Sequence, residues 1–237
     1  MISPYIDITY IILVLPAMIF SLWASAKVKN TFAKYRDHSN SRRMTGAEAA
    51  RWVLDRNGLR DVPVEHISGS LTDHYDPQAR VLRLSDDVYG KCSAVAVGVA
   101  CHEVGHAIQH AVGYAPIKIR TAIVPLTNFG SRIAVPLILI GLVFSTFGQV
   151  FITIAYAGVA AFGLATVFQL VTLPTEFNAS RRALKTIDET GLLRGEEYAE
   201  AKKVLTAAAL TYVAALAVSF AQLLRLFILV AGRDRRN

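Results

Sequence analysis

The sequence predicts a mostly α-helical membrane protein, with about four transmembrane helices and a small α+β segment that carries a metal site. Three observations lead there. The 237 residues are 53% hydrophobic with a mean hydropathy of +0.39, the range of chains with several spans. Charged residues make up only 18% and fall in blocks that alternate with long uncharged ones. The stretch ACHEVGHAIQH, residues 100–110, sets three histidines and a glutamate among small and apolar neighbours.

Residues 1–26 hold the first predicted span. Within them 8–26, ITYIILVLPAMIFSLWASA, run 19 residues without a charge. At 1.5 Å per residue that crosses ~30 Å of hydrocarbon. A signal peptide carries its basic segment ahead of the apolar run. Here KVKNTFAKYR follows it, so the span is expected to be retained.

Residues 27–120 read as the α+β segment. Thr45 precedes GAEAARWVLDRNGL, where Ala47, Ala50, Val53, Leu54 and Leu59 recur at helical spacing and Asn57-Gly58 stops the helix. Next, VPVEHISGSLTDHYDPQARVLRLSDDVY alternates apolar and polar residues around an Asp76-Pro77 turn. That is the pattern of a strand pair or short sheet, with VLRLS as the strand after the turn. A second helix starts near Ser93 and runs through ACHEVGHAIQH.

On that helix His102 and His106 are four apart and share a face, so both imidazoles can turn a nitrogen toward one ion. Glu103 is offset from His102 by about 100°, near enough to reach a water on that ion without ligating it. Neutral imidazoles suit Zn²⁺, which lowers the pKa of a bound water toward ~7. Glu103 would take that water's proton and pass it to a leaving amine. Val104 and Gly105 give the helix a small, apolar back. The bland alternative is a polar patch on a packed helix, but two histidines and a glutamate need partners to be buried, and a metal ion is the economical one.

A catalytic zinc takes three protein ligands and keeps one position open. His110 lies a further turn along, about 6 Å from His106 on the axis, and suits a supporting contact better than ligation. The better third ligand follows a predicted membrane hairpin at 121–173. Its uncharged core, 133–173, is 41 residues long, enough for two spans joined at the Ser-Thr-Phe-Gly-Gln turn of 145–149. Residues 174–204 are the next predicted helix, and Glu176 in LPTEFNASRRAL opens it just after Pro174. Glu176 is where charge resumes after the hairpin. The plainer reading is a first-turn carboxylate set against a helix dipole.

Residues 205–237 supply the last span and a basic tail. The apolar run 205–230 is interrupted only by Arg225, which can reach an interface from near a span's end. Six basic residues follow the first span (Lys27, Lys29, Lys34, Arg36, Arg42, Arg43). Six more precede the last (Arg181, Arg182, Lys185, Arg194, Lys202, Lys203). The positive-inside tendency makes their side cytoplasmic and the N-terminus external. Arg233, Arg235 and Arg236 of the tail pull the other way, three charges against twelve.

The net charge of +7 is not a nucleic-acid footprint, because no nucleic-acid-binding motif accompanies it and basic loops beside spans account for it. Cys92 and Cys101 form neither a disulfide framework nor a zinc-ribbon spacing, and suit a reduced compartment. Small residues at Ala207–Ala209, Ala214, Ala215 and Ala217 permit close packing within the chain, with other membrane proteins or with a second copy.

LTDHYDP (71–77), VLRLSDDVY (81–89), ACHEVGHAIQH (100–110) and EFNASRRAL (176–184) together resemble the YugP-like neutral zinc metallopeptidases of bacterial membranes. The resemblance covers essentially the whole chain. More distantly the chain is similar to membrane zinc proteases of the HtpX and CAAX-processing type. The resemblance implies a zincin-like, gluzincin-type catalytic domain with His102, His106 and Glu176 as zinc ligands and Glu103 as catalytic base. Asn178 stands where the family commonly has aspartate. Ser180 stands where the distant relatives carry an aspartate that orients a zinc-bound histidine, which a hydroxyl does only weakly. In relatives with this core, substrate backbone adds to a strand before the active-site helix. Residues 70–75 fall there, which points His74 or Tyr75 toward the cleft, either to stabilise an oxyanion or, for His74, to bind the zinc at rest.

The expected function is therefore an integral-membrane endopeptidase of the bacterial plasma membrane, acting on protein or peptide substrates near the cytoplasmic surface. A non-catalytic zinc-containing scaffold is the alternative. Glu103 argues against it, since a structural zinc uses no general base, and Cys101, the nearest extra ligand, points about 100° away from His102. Cleavage within the bilayer would need the motif deep in a span, whereas Lys91, Lys118 and Arg120 place it nearer the surface.

Overall fold

Helices dominate the computed structural model, which describes residues 8–235. Residues 1–7 of the predicted first span and Arg236 of the tail lie outside the described residues. Helix α1 (Leu15–Tyr35) follows a π-helical turn at Tyr10–Val14. Then come α2 (Gly46–Arg56), strands β1 (Val64–His66), β2 (His74–Asp76) and β3 (Val81–Leu84), and α3 (Ala94–Ala111). Helices α4 (Ala115–Val143), α5 (Gln149–Thr190) and α6 (Glu196–Asp234) complete the order. Among the described residues four helices are long and apolar enough to cross a membrane: Tyr10–Tyr35, α4, α5 and α6.

The chain divides into two compact units. One gathers residues 8–23, Ile119–Leu173 and 212–235, all helical but for the α4–α5 turn. Its core is Ile138, Ala155, Val159, Leu226 and Val230, while large apolar side chains such as Phe129 and Val150 stay 62% exposed. Apolar surface of that extent on polar-poor helices is what lipid covers. Arg225 lies over the ring of Tyr10, its guanidinium 5.3 Å from the centroid, which gives this cation near the end of its apolar run an aromatic face. The predicted turn is a short 3-10 segment, Ser145–Phe147, and Gly148 at φ 144° takes a conformation that a Cβ disfavours.

The other unit gathers Ala24–Lys118 and Pro174–Thr211. Thr45 caps α2 with a full capping box: its Oγ1 accepts from Glu48 N–H and Glu48 Oε2 accepts from Thr45 N–H. The sheet has the order β1-β3-β2, with β1 parallel and β2 antiparallel to β3, so β2 is an edge. Ser93 caps α3 by accepting from Ala96 N–H. The core joins Val53 and Leu54 of α2, Leu82 and Leu84 of β3, Val95 and Val97 of α3, and Ile187 and Leu192 from the end of α5 and beyond it.

Three element boundaries differ from the sequence expectation. Extended structure was expected over 70–75, but β2 begins only at His74. Gly69 (φ 116°) and Leu71 (φ 55°) bend the chain before it, and Asp86 holds the bend through Gly69 N–H (2.8 Å). Helix α4 starts at Ala115 and already includes Lys118 and Arg120, because hydropathy marks where a helix meets lipid and not where it begins. Helix α5 runs unbroken through Pro174, where a new helix was expected. Proline favours a helix start, but inside an established helix it removes one N–H bond and is tolerated in membrane helices. Glu176 is thus mid-helix, and the first-turn dipole reading of it is corrected.

Candidate metal centre

The i, i+4 pair on α3 sets His102 and His106 edge to face, ring centroids 4.9 Å apart. Glu176 on α5 brings Oε2 to 3.3 Å from His102 Nε2 and 3.4 Å from His106 Nε2. One donor atom from each of the three lies within 4.8 Å of the others, a spacing that could hold one metal ion. All three are buried, Glu176 to 2% exposure and the histidines to 8%. The approach of α5 to α3 depends on Gly105: a Cβ there would lie 2.8 Å from Ala179 O, one turn beyond Glu176.

The other ring nitrogens are occupied, which decides what the Nε2 atoms offer. Arg182 Nε donates to Asn178 Oδ1 (2.8 Å), so that oxygen is an acceptor. Gln109 Nε2 donates to the same oxygen (3.0 Å) and to Thr175 O (2.8 Å). The amide orientation of Gln109 is thereby set, and its Oε1 faces His106 Nδ1 at 3.0 Å. His106 Nδ1 must carry a proton, so Nε2 is the nitrogen that faces Glu176 and would face a metal. His102 Nδ1 is likewise engaged by Ser180 Oγ at 3.0 Å. Two imidazole Nε2 atoms and a carboxylate oxygen are a donor set that suits zinc.

Glu103 sits beside this group without joining it, 9% exposed. Its Oε2 accepts from Tyr75 N–H (3.1 Å), the edge strand's own backbone. Burial pushes its carboxyl above the ordinary value, while His102 and His106 pull it down. His74 is not brought to the group: it is exposed, with Nδ1 2.9 Å from Thr72 O. His110 is also exposed and meets Tyr75 Oη through Nδ1 at 3.1 Å. Cys101 is buried and outside the donor group, and burial pushes its thiol up to about 12.

Gln109 was not singled out from the sequence. The available signal was its position seven after His102 on the histidine face; its acceptor partners lie 66 and 69 residues away.

Residues 10–231 match the family described as "Putative neutral zinc metallopeptidase". The chain belongs to this family. A family relative, "Putative membrane protease YugP" of Bacillus subtilis (strain 168), is 48% identical over 226 residues, 95% of this chain and 98% of its own length. No solved structure matches the chain. With four apolar helices of spanning length and a relative named as a membrane protease, this family member is a membrane protein.

Proposed function

We propose that the chain is an integral-membrane zinc endopeptidase of gluzincin type, with His102, His106 and Glu176 holding one Zn²⁺ and Glu103 as general base. The observation that carries this reading is the convergence of two Nε2 atoms and a carboxylate oxygen beside a fourth buried group of base chemistry. Three protein donors leave one position of a tetrahedral ion to other ligands, as catalytic sites do. A zinc ion bound there supplies Lewis acidity toward a carbonyl oxygen and toward water.

The remaining work falls to the chain itself. As water oxygen bonds to the scissile carbonyl carbon, Glu103 takes its proton; as the C–N bond breaks, Glu103 returns that proton to the leaving nitrogen. Tyr75 N–H holds the carboxylate in place through Oε2. The edge position of β2 supports docking of substrate as an extended strand. His74 stands at the rim of that edge, so His74→Ala is expected to raise KM more than it lowers kcat and to leave zinc content unchanged. The basic segments at 27–43 and 181–203 support a catalytic part on the cytoplasmic side of the bacterial plasma membrane. The scaffold alternative gains nothing from Cys101, which stays outside the donor group.

Metal content and proteolysis of an unfolded protein substrate, measured side by side, test the reading. Glu103→Ala is expected to keep zinc and to lose at least ~100-fold in kcat. Glu176→Ala is expected to lose zinc affinity. Wild-type proteolysis in Glu103→Ala would overturn the mechanism, and unchanged zinc affinity in Glu176→Ala would reassign the third ligand.

A further inference from the structure

Helices α1 and α6 flank a groove of about 620 Å³ whose lining includes Lys27, Thr31, Lys34, Tyr35, Lys202 and Lys203. Four of its lining residues are lysines and none is acidic. The nearby carboxylates are engaged elsewhere: Glu200 with His38 at 2.9 Å and Glu197 with Ser41 N–H at 2.6 Å. Among the described residues Lys34 and Lys203 instead share one aromatic surface. Their Nζ atoms lie 5.3 and 5.4 Å from the Tyr35 ring centroid, and Lys203 Nζ donates to Tyr35 Oη at 3.3 Å. Two ammonium groups thus lie against the one tyrosine ring, and its hydroxyl accepts from Lys203.

The level of the groove along each helix is equally specific. On α1 the uncharged run ends at Ala26, and Lys27 and Lys34 occupy the next two turns; Trp23, 49% exposed, lies one turn before. On α6 Lys202 and Lys203 occupy the turn before the apolar run that starts at Leu205. Both helices therefore change from lipid-compatible to cationic at the groove, with an interfacial tryptophan beside the change. The groove volume suits a headgroup.

We propose that this groove binds the phosphate of an anionic phospholipid. Lysines between membrane helices at headgroup depth give the charge complementarity, and the Thr31 and Tyr35 hydroxyls provide polar groups beside them. The site is independent of zinc and of peptidase activity.

The test is native mass spectrometry of the full-length protein in detergent, titrated with phosphatidylglycerol, phosphatidylcholine or inorganic phosphate. Saturable binding of one phosphatidylglycerol per chain is expected, weakened about 30-fold in the double variant Lys34→Gln/Lys202→Gln. The double variant with arginine at both positions should restore it, which separates charge loss from misfolding. Lys185→Gln, an exposed lysine paired with Glu189 outside the groove, should bind like wild type. Equal binding of phosphatidylcholine would overturn the anionic selectivity. Equal weakening in Lys185→Gln would reduce the effect to general surface charge, and displacement of the lipid by equimolar inorganic phosphate would make free phosphate the ligand; either overturns the proposal.

Discussion

Arg182 has only donors to offer, and that limitation propagates inward. It makes Asn178 Oδ1 an acceptor, which aims the Gln109 amide and fixes the His106 proton on Nδ1. Gln109→Leu removes the acceptor while keeping the volume close. Zinc affinity is expected to fall 10–100-fold, as read by chelator competition, with the helix content unchanged. An aspartate at 178 would serve the same acceptor role, so Asn178→Asp should retain zinc affinity. Cys101 gives a second residue-scale expectation. Its thiol, raised to about 12, stays neutral and inert at pH 8, well below that value, whereas half-buried Cys92 is accessible. A thiol reagent at pH 8 should therefore modify the native protein at Cys92 alone, and at both cysteines once it is denatured. Residues whose role is local were legible in the sequence: the shared face of His102 and His106 follows from their spacing. Glu176 was reachable because a catalytic zinc needs a third ligand and charge resumes there. Gln109 and Arg182 were not, because an amide and a guanidinium acquire their meaning only from partners on another helix.

Between α3 and α5 the decisive atom is the one Gly105 lacks. Gly105→Ala would put a Cβ 2.8 Å from Ala179 O and 3.1 Å from Ala179 Cα, backbone that cannot give way cheaply. Overpacking of this kind costs about 1–3 kcal/mol, and here it also moves Glu176 away from the histidines. A lower thermal midpoint together with weaker zinc binding is expected, whereas Gly163→Ala, whose nearest new neighbour is at 3.9 Å, should change neither. The α2 cap separates stability from the metal. Thr45→Ala removes the Oγ1 that accepts from Glu48 N–H, while the backbone N–H at position 45 still donates to Glu48; about 1 kcal/mol is lost, with zinc affinity unchanged. Helices α2 and α3 were legible to within a residue or so because Thr45 and Ser93 are local start signals. The unbroken α5 was not: Pro174 is a start signal in water and a tolerated gap in an apolar helix. Residues 70–73 read as strand by alternation, but Asp73 spends its carboxylate on Ser85 N–H and Oγ at 2.7 and 2.9 Å, and the strand shortens.

At the scale of the whole molecule, orientation is the property that charge placement predicts and labelling can read. With Cys92 replaced by serine, Ser39→Cys presents an exposed thiol in the basic segment after α1. A membrane-impermeant maleimide should leave it unmodified in intact cells and modify it after permeabilisation; labelling in intact cells would invert the topology. The continuity of α5 carries a consequence of a different kind. One helix bears both an uncharged run of spanning length and Glu176, with no loop between them to absorb a change of register. The bearing of that carboxylate is therefore phase-locked to Ala179, the next turn of the same helix, whose backbone meets Gly105. One residue inserted between Glu176 and Ala179 shifts the phase by about 100° and should abolish zinc binding, while an alanine substitution of the exposed Phe177 in the same stretch should keep it. The helix acts as an angular ruler, read in residues and checked by the metal.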